Sequence, residues 1–83
     1  MKHVVFELFA NLRKLAGTEE LRVEAGDAVL SVGDALTLLA RERPELAASL
    51  ERCACVSGDT IVRRVDALPA DGRIALLPPV AGG

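Results

Sequence analysis

The chain has one long stretch of helical periodicity, residues 31–43, and this segment most constrains the fold. Ser31 is a good N-cap, and Asp34 three residues later can complete a capping box. The helix should end before Pro44, because proline supplies no amide hydrogen and excludes its predecessor from the α region. Its apolar positions follow the i, i+3, i+4, i+7, i+8 pattern: Val32, Ala35, Leu36, Leu39 and Ala40. A helix with one apolar side must pack on another layer.

Short runs of strand character on both sides of this helix supply that layer. Val4, Phe6 and Leu8 alternate with polar positions, which is typical of a strand with one face on the core. The predicted strands are residues 4–9, 20–25, 53–56, 60–62 and a last run, 74–77. That last run is apolar on both faces, so we expect it to be central and buried. A short helix ending at a left-handed Gly17 should join the first two strands.

These elements predict an α+β domain in which one main helix packs across a mixed sheet. The β-grasp, or ubiquitin-like, arrangement is the simplest such fold for 83 residues. Residues 45–52 should add one or two helical turns, with Leu46 and Leu50 facing inward. Aromatic residues are only 2% of the chain, so the core must be aliphatic around Phe6, with Phe9 as a second candidate.

Composition argues against several classes of function. The net charge of −2 and the scarcity of aromatic rings give no basis for nucleic-acid binding. No stretch approaches the roughly 18 apolar residues of a membrane span, and the N-terminus has no signal-peptide layout, so we expect a cytoplasmic protein without a membrane partner. Cys53, Cys55 and His3 are too few for a metal site, and the two cysteines should be free, half-buried thiols.

The last six residues, 78–83, read Pro-Pro-Val-Ala-Gly-Gly. The prolines cannot continue a sheet ladder and favour an extended conformation. We therefore expect a β-grasp domain over residues 1–77 and an extended tail over residues 78–83 that reaches roughly 20 Å. A frayed, functionless end is the alternative. A stiff exit, small residues and a terminal diglycine together favour a carboxylate delivered into a narrow tunnel.

Three parts of the sequence resemble the ubiquitin-like sulfur carriers, most of all the small subunit of molybdopterin synthase. They are Leu-Phe-Ala-Asn-Leu-Arg-Lys-Leu-Ala-Gly at residues 8–17, Ser-Val at the start of the long helix, and Leu-Leu-Pro-Pro-Val-Ala-Gly-Gly at residues 76–83. The resemblance covers nearly the whole chain. It departs from the family at Asp71-Gly72-Arg73, where an acidic turn is usual.

The resemblance implies a sulfur-donating subunit that is not itself catalytic. An ATP-dependent activating enzyme would adenylate Gly83, and a sulfur donor would convert it to a thiocarboxylate. The large subunit of molybdopterin synthase would then receive the tail and pass the sulfur to a pyranopterin precursor in molybdenum cofactor biosynthesis. The domain would bind no cofactor tightly, since ATP belongs to the activating enzyme and the sulfur is covalent at Gly83.

The resemblance also implies which residues contact partners. Gly83 carries the chemistry, and Arg13 could pair with an acidic group on a partner, although a solvated arginine is commoner. Ile61 could equally be a core residue. The implied partner-binding residues are Gly82, Ala81, Val80, Pro79 and Pro78 in the tail, and Leu77, Phe9, Ile61 and Arg13 around its exit.

Other functions share these features. A carrier for thiamine synthesis or tRNA thiolation would use the same tail chemistry with another acceptor. A ubiquitin-like modifier would instead join Gly83 to a lysine amine. A plain interaction module would make no use of the tail.

Overall fold

The computed structural model describes residues 2–29 and 31–79 of the chain. Within these residues the strands are β1 (Lys2–Leu8), β2 (Glu20–Ala25), β3 (Ala54–Ser57), β4 (Thr60–Val62) and β5 (Arg73–Leu77). The helices are α1 (Asn11–Ala16), α2 (Val32–Glu42) and α3 (Ala47–Leu50), with a 3-10 turn at Pro44–Leu46 before α3. Each predicted element is therefore present, with small differences at the ends.

The strands form one mixed sheet in the order β2-β1-β5-β3-β4. β1 and β5 are parallel, whereas the other neighbouring pairs are antiparallel. One helix-covered face and a parallel central pair confirm the predicted β-grasp fold. The central place of β5 is also confirmed.

The predicted capping box fixes the start of α2. The Ser31 hydroxyl accepts a hydrogen bond from the Asp34 amide at 3.1 Å, and the Ser31 amide donates to Asp34 Oδ2 at 3.2 Å. Two further amides of the first turn donate to carbonyls of the segment between β4 and β5, Val32 to Asp66 at 2.9 Å and Gly33 to Arg64 at 2.8 Å. The helix start is thus bonded to the chain that leads into β5.

The core lies between α2, the shorter helices and one face of the sheet. Phe6 is fully buried at its centre, and Leu46 and Leu50 face inward as predicted. The remaining buried side chains are aliphatic or cysteine: Val4, Leu8, Leu12, Val23, Ala25, Val32, Ala35, Leu36, Leu39, Cys53, Cys55, Ile74 and Leu76. Ala40, the last residue of the predicted stripe, is half-buried.

The predicted end of β1 at Phe9 is one residue too late, and Phe9 is not a second core residue; it is exposed, on the outside of the domain where a docking residue was expected. β1 ends at Leu8, and Ala10 has a positive φ of 53°, which turns the chain into α1. The amide of Leu12 then donates to the Phe9 carbonyl at 3.1 Å. The Phe9 side chain is 36% exposed because this turn carries it away from the core.

The prediction that β5 is buried on both faces is also wrong. Ile74 and Leu76 are fully buried, but Ala75 is half-buried and Leu77 is exposed. The helices cover only one side of the sheet, so a central strand still has an outward face. Burial in the core therefore does not explain why the outward residues of β5 are apolar.

Cys53 and Cys55 point into the core and are free thiols, more deeply buried than predicted. The Cys53 thiol donates to the Leu50 carbonyl at 3.3 Å. Hydrogen bonding with Cys55 and burial raise the pKa of the Cys53 thiol. Among the described residues there is no group of three metal-ligating side chains.

In the described ranges, no helix has the length and apolar character needed to cross a lipid bilayer.

Gly72 is the position where the fold depends most directly on glycine. Its φ is +67°, and a Cβ added there would lie 2.8 Å from the His3 carbonyl oxygen. Gly58 offers a matched control, because its φ is +59° but no atom lies within 4 Å of the added Cβ. Gly58→Ala should cost about 1–2 kcal/mol of unfolding free energy from backbone conformation alone.

Gly72→Ala should cost a further ~1–3 kcal/mol, because the start of β5 must move away from β1. Urea denaturation of both variants measures the difference. Equal losses would show that the contact with His3 is not a packing constraint.

Candidate functional site

The outward face of the sheet carries a cluster of apolar side chains at the end of β5. Residues that pair across neighbouring strands share a face. Leu77 pairs with Ala54, Ala75 pairs with Val56, and Val56 pairs with Ile61. These five residues, Ala54, Val56, Ile61, Ala75 and Leu77, are called the outer patch below.

Exposure separates the outer patch from the core. Ile61 is 74% exposed and Leu77 is 40% exposed, whereas Ile74 and Leu76 on the opposite face of β5 are fully buried. The core alternative for Ile61 is therefore excluded. Large aliphatic side chains exposed on one open sheet face are typical of a protein interaction surface.

Phe9 lies at the same end of the sheet as Leu77. Leu8 pairs with Leu76 in the parallel ladder, and Phe9 is the next residue. The Arg13 guanidinium lies 6.0 Å from the centre of the Phe9 ring, and its Nη1 is 3.7 Å from Glu19 Oε1. Arg13 thus has intramolecular contacts with a ring and a carboxylate, and both its side chain and Phe9 remain accessible to a partner.

A charged group borders the outer patch on its other side. Glu7 pairs directly with Glu20 across β1 and β2, and it also pairs with Ala75 of the patch. Like charges directly opposite each other destabilise a sheet. Arg73 lies beside both, with its Nη2 at 2.8 Å from Glu20 Oε2 and 3.7 Å from Glu7 Oε2.

The hydrogen bond that Arg73 donates to the Glu20 carboxylate raises the pKa of the Arg73 guanidinium, with a smaller contribution from the charge of Glu7. This pairing gives a physical reason for arginine at the position where the resemblance predicted an acidic turn. Arg73 is the first residue of β5, and its charge offsets two carboxylates of neighbouring strands.

The exit of the chain lies directly beyond the outer patch. β5 ends at Leu77, and Pro78 and Pro79 follow outside any strand. A groove of about 530 Å³ begins there, between the start of α1 and the region of α3. It is lined by Asn11, Ala48, Ser49, Glu51, Arg52, Pro78 and Pro79.

Gly83 is predicted to carry the chemistry, and Val80, Ala81 and Gly82 are predicted to bind partners; all four lie outside the described residues. What the structure brings together is the rest of the predicted site: Leu77, Phe9 and Arg13 at one end of the sheet, and Ile61 on the same outward face. Around this exit the described residues present apolar and ionic binding groups, suited to docking.

The sequence prediction missed part of this surface. Ala54, Val56 and Ala75 were not proposed as site residues, although their alternation with buried Cys55, Ile74 and Leu76 places them on the outward face. The partnership of Arg73 with Glu7 was missed too. It joins residues far apart in sequence, so only the strand order could show it.

A comparison with protein-family models matches residues 6–83 to the ThiS family. The chain belongs to the ThiS family. It is a ubiquitin-like sulfur carrier, as the sequence resemblance predicted. A comparison with curated protein sequences finds no match.

Solved structures give the same fold for this ThiS-family chain. SAMP1 from Haloferax volcanii is 29% identical with a TM-score of 0.82, over 99% of this chain and 100% of that one. Putative molybdopterin converting factor subunit 1 from Pyrococcus furiosus is 20% identical with a TM-score of 0.78, over 96% and 100%. The complex of subunits 1 and 2 of molybdopterin-converting factor from Helicobacter pylori includes a chain that is 24% identical with a TM-score of 0.66, over 99% and 100%.

The contribution of the Arg73 ion pairs to stability can be tested with Arg22 as the control, because Arg22 lies on the same outward face. Both residues pair with Val5, one from each side, but no ion pair of Arg22 is found in the described part of the chain. Arg73→Gln should lower the thermal midpoint more than Arg22→Gln at low ionic strength, because Glu7 and Glu20 are then left opposite each other.

The difference between the two variants should shrink in about 1 M salt, where the Debye length is only about 3 Å. Thermal unfolding at both ionic strengths measures it. A difference that does not depend on salt would assign the role of Arg73 to packing.

Proposed function

We propose that this chain is the sulfur carrier subunit of molybdopterin synthase. The observation that carries the proposal is the position of the outer patch at the end of β5, immediately before the double proline that leads to the diglycine. A partner that binds the outer patch therefore also holds the start of the tail, residues 78–83. Residues 1–77 act as the handle and residues 78–83 as the delivered tail.

The chemistry resides in the tail. An α-carboxylate has a pKa near 3.5 and is an anion at neutral pH, so it resists nucleophilic attack. An activating enzyme uses ATP to adenylate Gly83, and a sulfur donor then displaces AMP to leave a thiocarboxylate. The large subunit of the synthase takes up the tail, and the sulfur attacks the pyranopterin precursor. The carrier contributes no bound cofactor to this sequence.

The structure supports a docking role for the domain. The outer patch and Phe9 offer apolar contact area, and the charged group of Glu7, Glu20 and Arg73 forms a polar border. An apolar centre with a polar rim is the usual anatomy of a protein interface. The similar Helicobacter pylori fold is found in a complex of subunits 1 and 2, which supports a large-subunit partner for this chain.

Two other acceptors are compatible with the same tail. The likeness to SAMP1, at 29% identity, favours a second candidate function as a protein modifier, in which Gly83 is joined to a lysine amine of a target. Isopeptide-linked forms in cell extracts would identify that function. Carriers for thiamine synthesis or tRNA thiolation differ only in the acceptor that binds the tail.

Intact mass spectrometry tests the tail chemistry. The protein is incubated with the adenylating enzyme, ATP and a persulfide donor, and its mass should change by one sulfur-for-oxygen exchange at Gly83. Deleting Gly83, or adding a residue after it, should abolish the exchange and leave the thermal midpoint unchanged, because the described core is built from residues between Val4 and Leu76. The spectrum of the protein from its source also shows whether Gly83 is its last residue.

A tail variant that still gains sulfur at full rate, without processing back to Gly83, would refute the proposal. A wild-type protein that is never adenylated would leave only the interaction-module alternative.

Ile61→Asp tests the docking surface. A carboxylate placed within a buried apolar contact should weaken binding to the large subunit about tenfold or more. Val65→Asp is the matched control, since Val65 is similarly exposed at 76% but lies in the segment after β4, outside the outer patch. Isothermal titration with the large subunit measures both. Equal affinity of the two variants would exclude the patch as the docking site.

A further inference from the structure

The two edge strands of the sheet, β2 and β4, present different side chains. The exposed residues of β2 are Glu20, Arg22 and Glu24, and charged side chains on an edge strand oppose pairing with another strand. β4 instead has Ile61 at its middle position, with the side chain 74% exposed. In the described part of the chain no further strand pairs with the outer edge of β4. That edge is therefore open to a strand from another molecule.

The hairpin that joins β3 to β4 decides which backbone groups point to this open edge. Ser57 and Thr60 pair across a two-residue loop, and Gly58, its first residue, has a φ of +59°, as in a type II′ turn. Such a turn is closed by a hydrogen bond between its first and last residues. Bonded and non-bonded pairs alternate along an antiparallel ladder. The amide and carbonyl of Ile61 thus point away from β3, towards the open edge.

A second copy of the chain can pair with this edge in a symmetric, antiparallel register. In a two-fold interface the same surface is used by both molecules, so Ile61 lies opposite the partner's Ile61. The two residues that flank β4 are then also paired, because Asp59 lies opposite the partner's Arg63 at each end. Opposite charges across a strand pair are stabilising. The edge is therefore complementary in charge to a second copy of itself.

The two flanking side chains are available for such a contact. The Arg63 side chain is 79% exposed, and its ion pair with Asp66 is long, with 3.6 Å between Nη2 and Oδ1. Asp59 is exposed, and no ion pair of Asp59 is found among the described residues. The Arg63 amide donates to Asp66 Oδ2 at 2.8 Å, so it is not free to extend a ladder. The backbone pairing is thereby limited to the two hydrogen bonds between the Ile61 residues.

We propose that the β4 edge binds a second copy of this chain, with β4 antiparallel to the partner's β4 and Ile61 on the two-fold axis. The two five-stranded sheets then form one continuous sheet. Two backbone hydrogen bonds, the contact between the Ile61 side chains and two Asp59–Arg63 ion pairs hold the copies together. Because β4 has only three residues, the interface is smaller than about 1,200 Å² and the dimer is weak and reversible.

The pairing does not depend on the tail or on its chemistry, and it has a consequence for the outer patch. Ile61 belongs to that patch, so a second copy bound at β4 covers part of the surface that the proposed function assigns to the large subunit. The free carrier and the large subunit would therefore compete for Ile61. Dimer formation would hold back the carrier only at high concentration, because the pairing is weak.

Sedimentation of the full chain at low ionic strength, up to about 1 mM, tests the pairing. We expect a monomer–dimer equilibrium. Asp59→Arg places two arginines opposite each other at both ends, and Arg63→Asp places two aspartates there, so each variant alone should associate about tenfold or more weakly. An equal mixture of the two variants should associate as the unsubstituted chain does, because every pair again joins opposite charges.

Arg22→Asp is the matched control, since it makes the same change of charge as Arg63→Asp but lies on the other edge strand. It should leave the association of the chain unchanged, and mixing it with Asp59→Arg should restore nothing. Thermal unfolding checks that each variant is folded.

A chain that stays monomeric at about 1 mM would overturn the inference and leave the β4 edge to a strand of a different protein. A mixture that associates no better than the two single variants would overturn it too. Dimer formation together with no binding to the large subunit would count against the proposed function and leave this pairing intact.

Discussion

The parallel pairing of β1 with β5 is the contact on which the rest of this structure depends. It joins the two ends of the domain's sequence, with Val5 opposite Arg73 and Leu8 opposite Leu76. Parallel strands finish at the same edge of a sheet, so the turn after β1 and the chain after β5 leave together. Phe9, α1 and the double proline are brought to one end by this register alone.

The second constraint is that the helices cover one face of the sheet and leave the other open. Alternation along β5 then gives its side chains opposite roles, with Ile74 and Leu76 in the core and Ala75 and Leu77 outside. The outer patch follows from that division. In the proposed function, this surface positions the chain's tail in a partner's site.

The local signals in the sequence predicted most of the elements. The capping box of α2, the left-handed Gly17 and the inward Leu46 depend on neighbours within a few residues, and each is observed as expected. The end of β1 was placed one residue too late, at Phe9, because the apolar run continues past the strand's end, where Ala10 turns the chain. Hydrophobic pattern alone cannot detect that turn, since a positive φ at alanine is rare.

The sequence by itself determined the α+β class and the family resemblance, because periodicity and short motifs are local properties. Only the tertiary structure decided that Ile61 and Leu77 share an open face, and that Arg73 serves two carboxylates of other strands. Strand order and register set those contacts, and they arise from packing between segments distant in the chain. The local sequence pattern does not show which distant strands will be neighbours in the sheet.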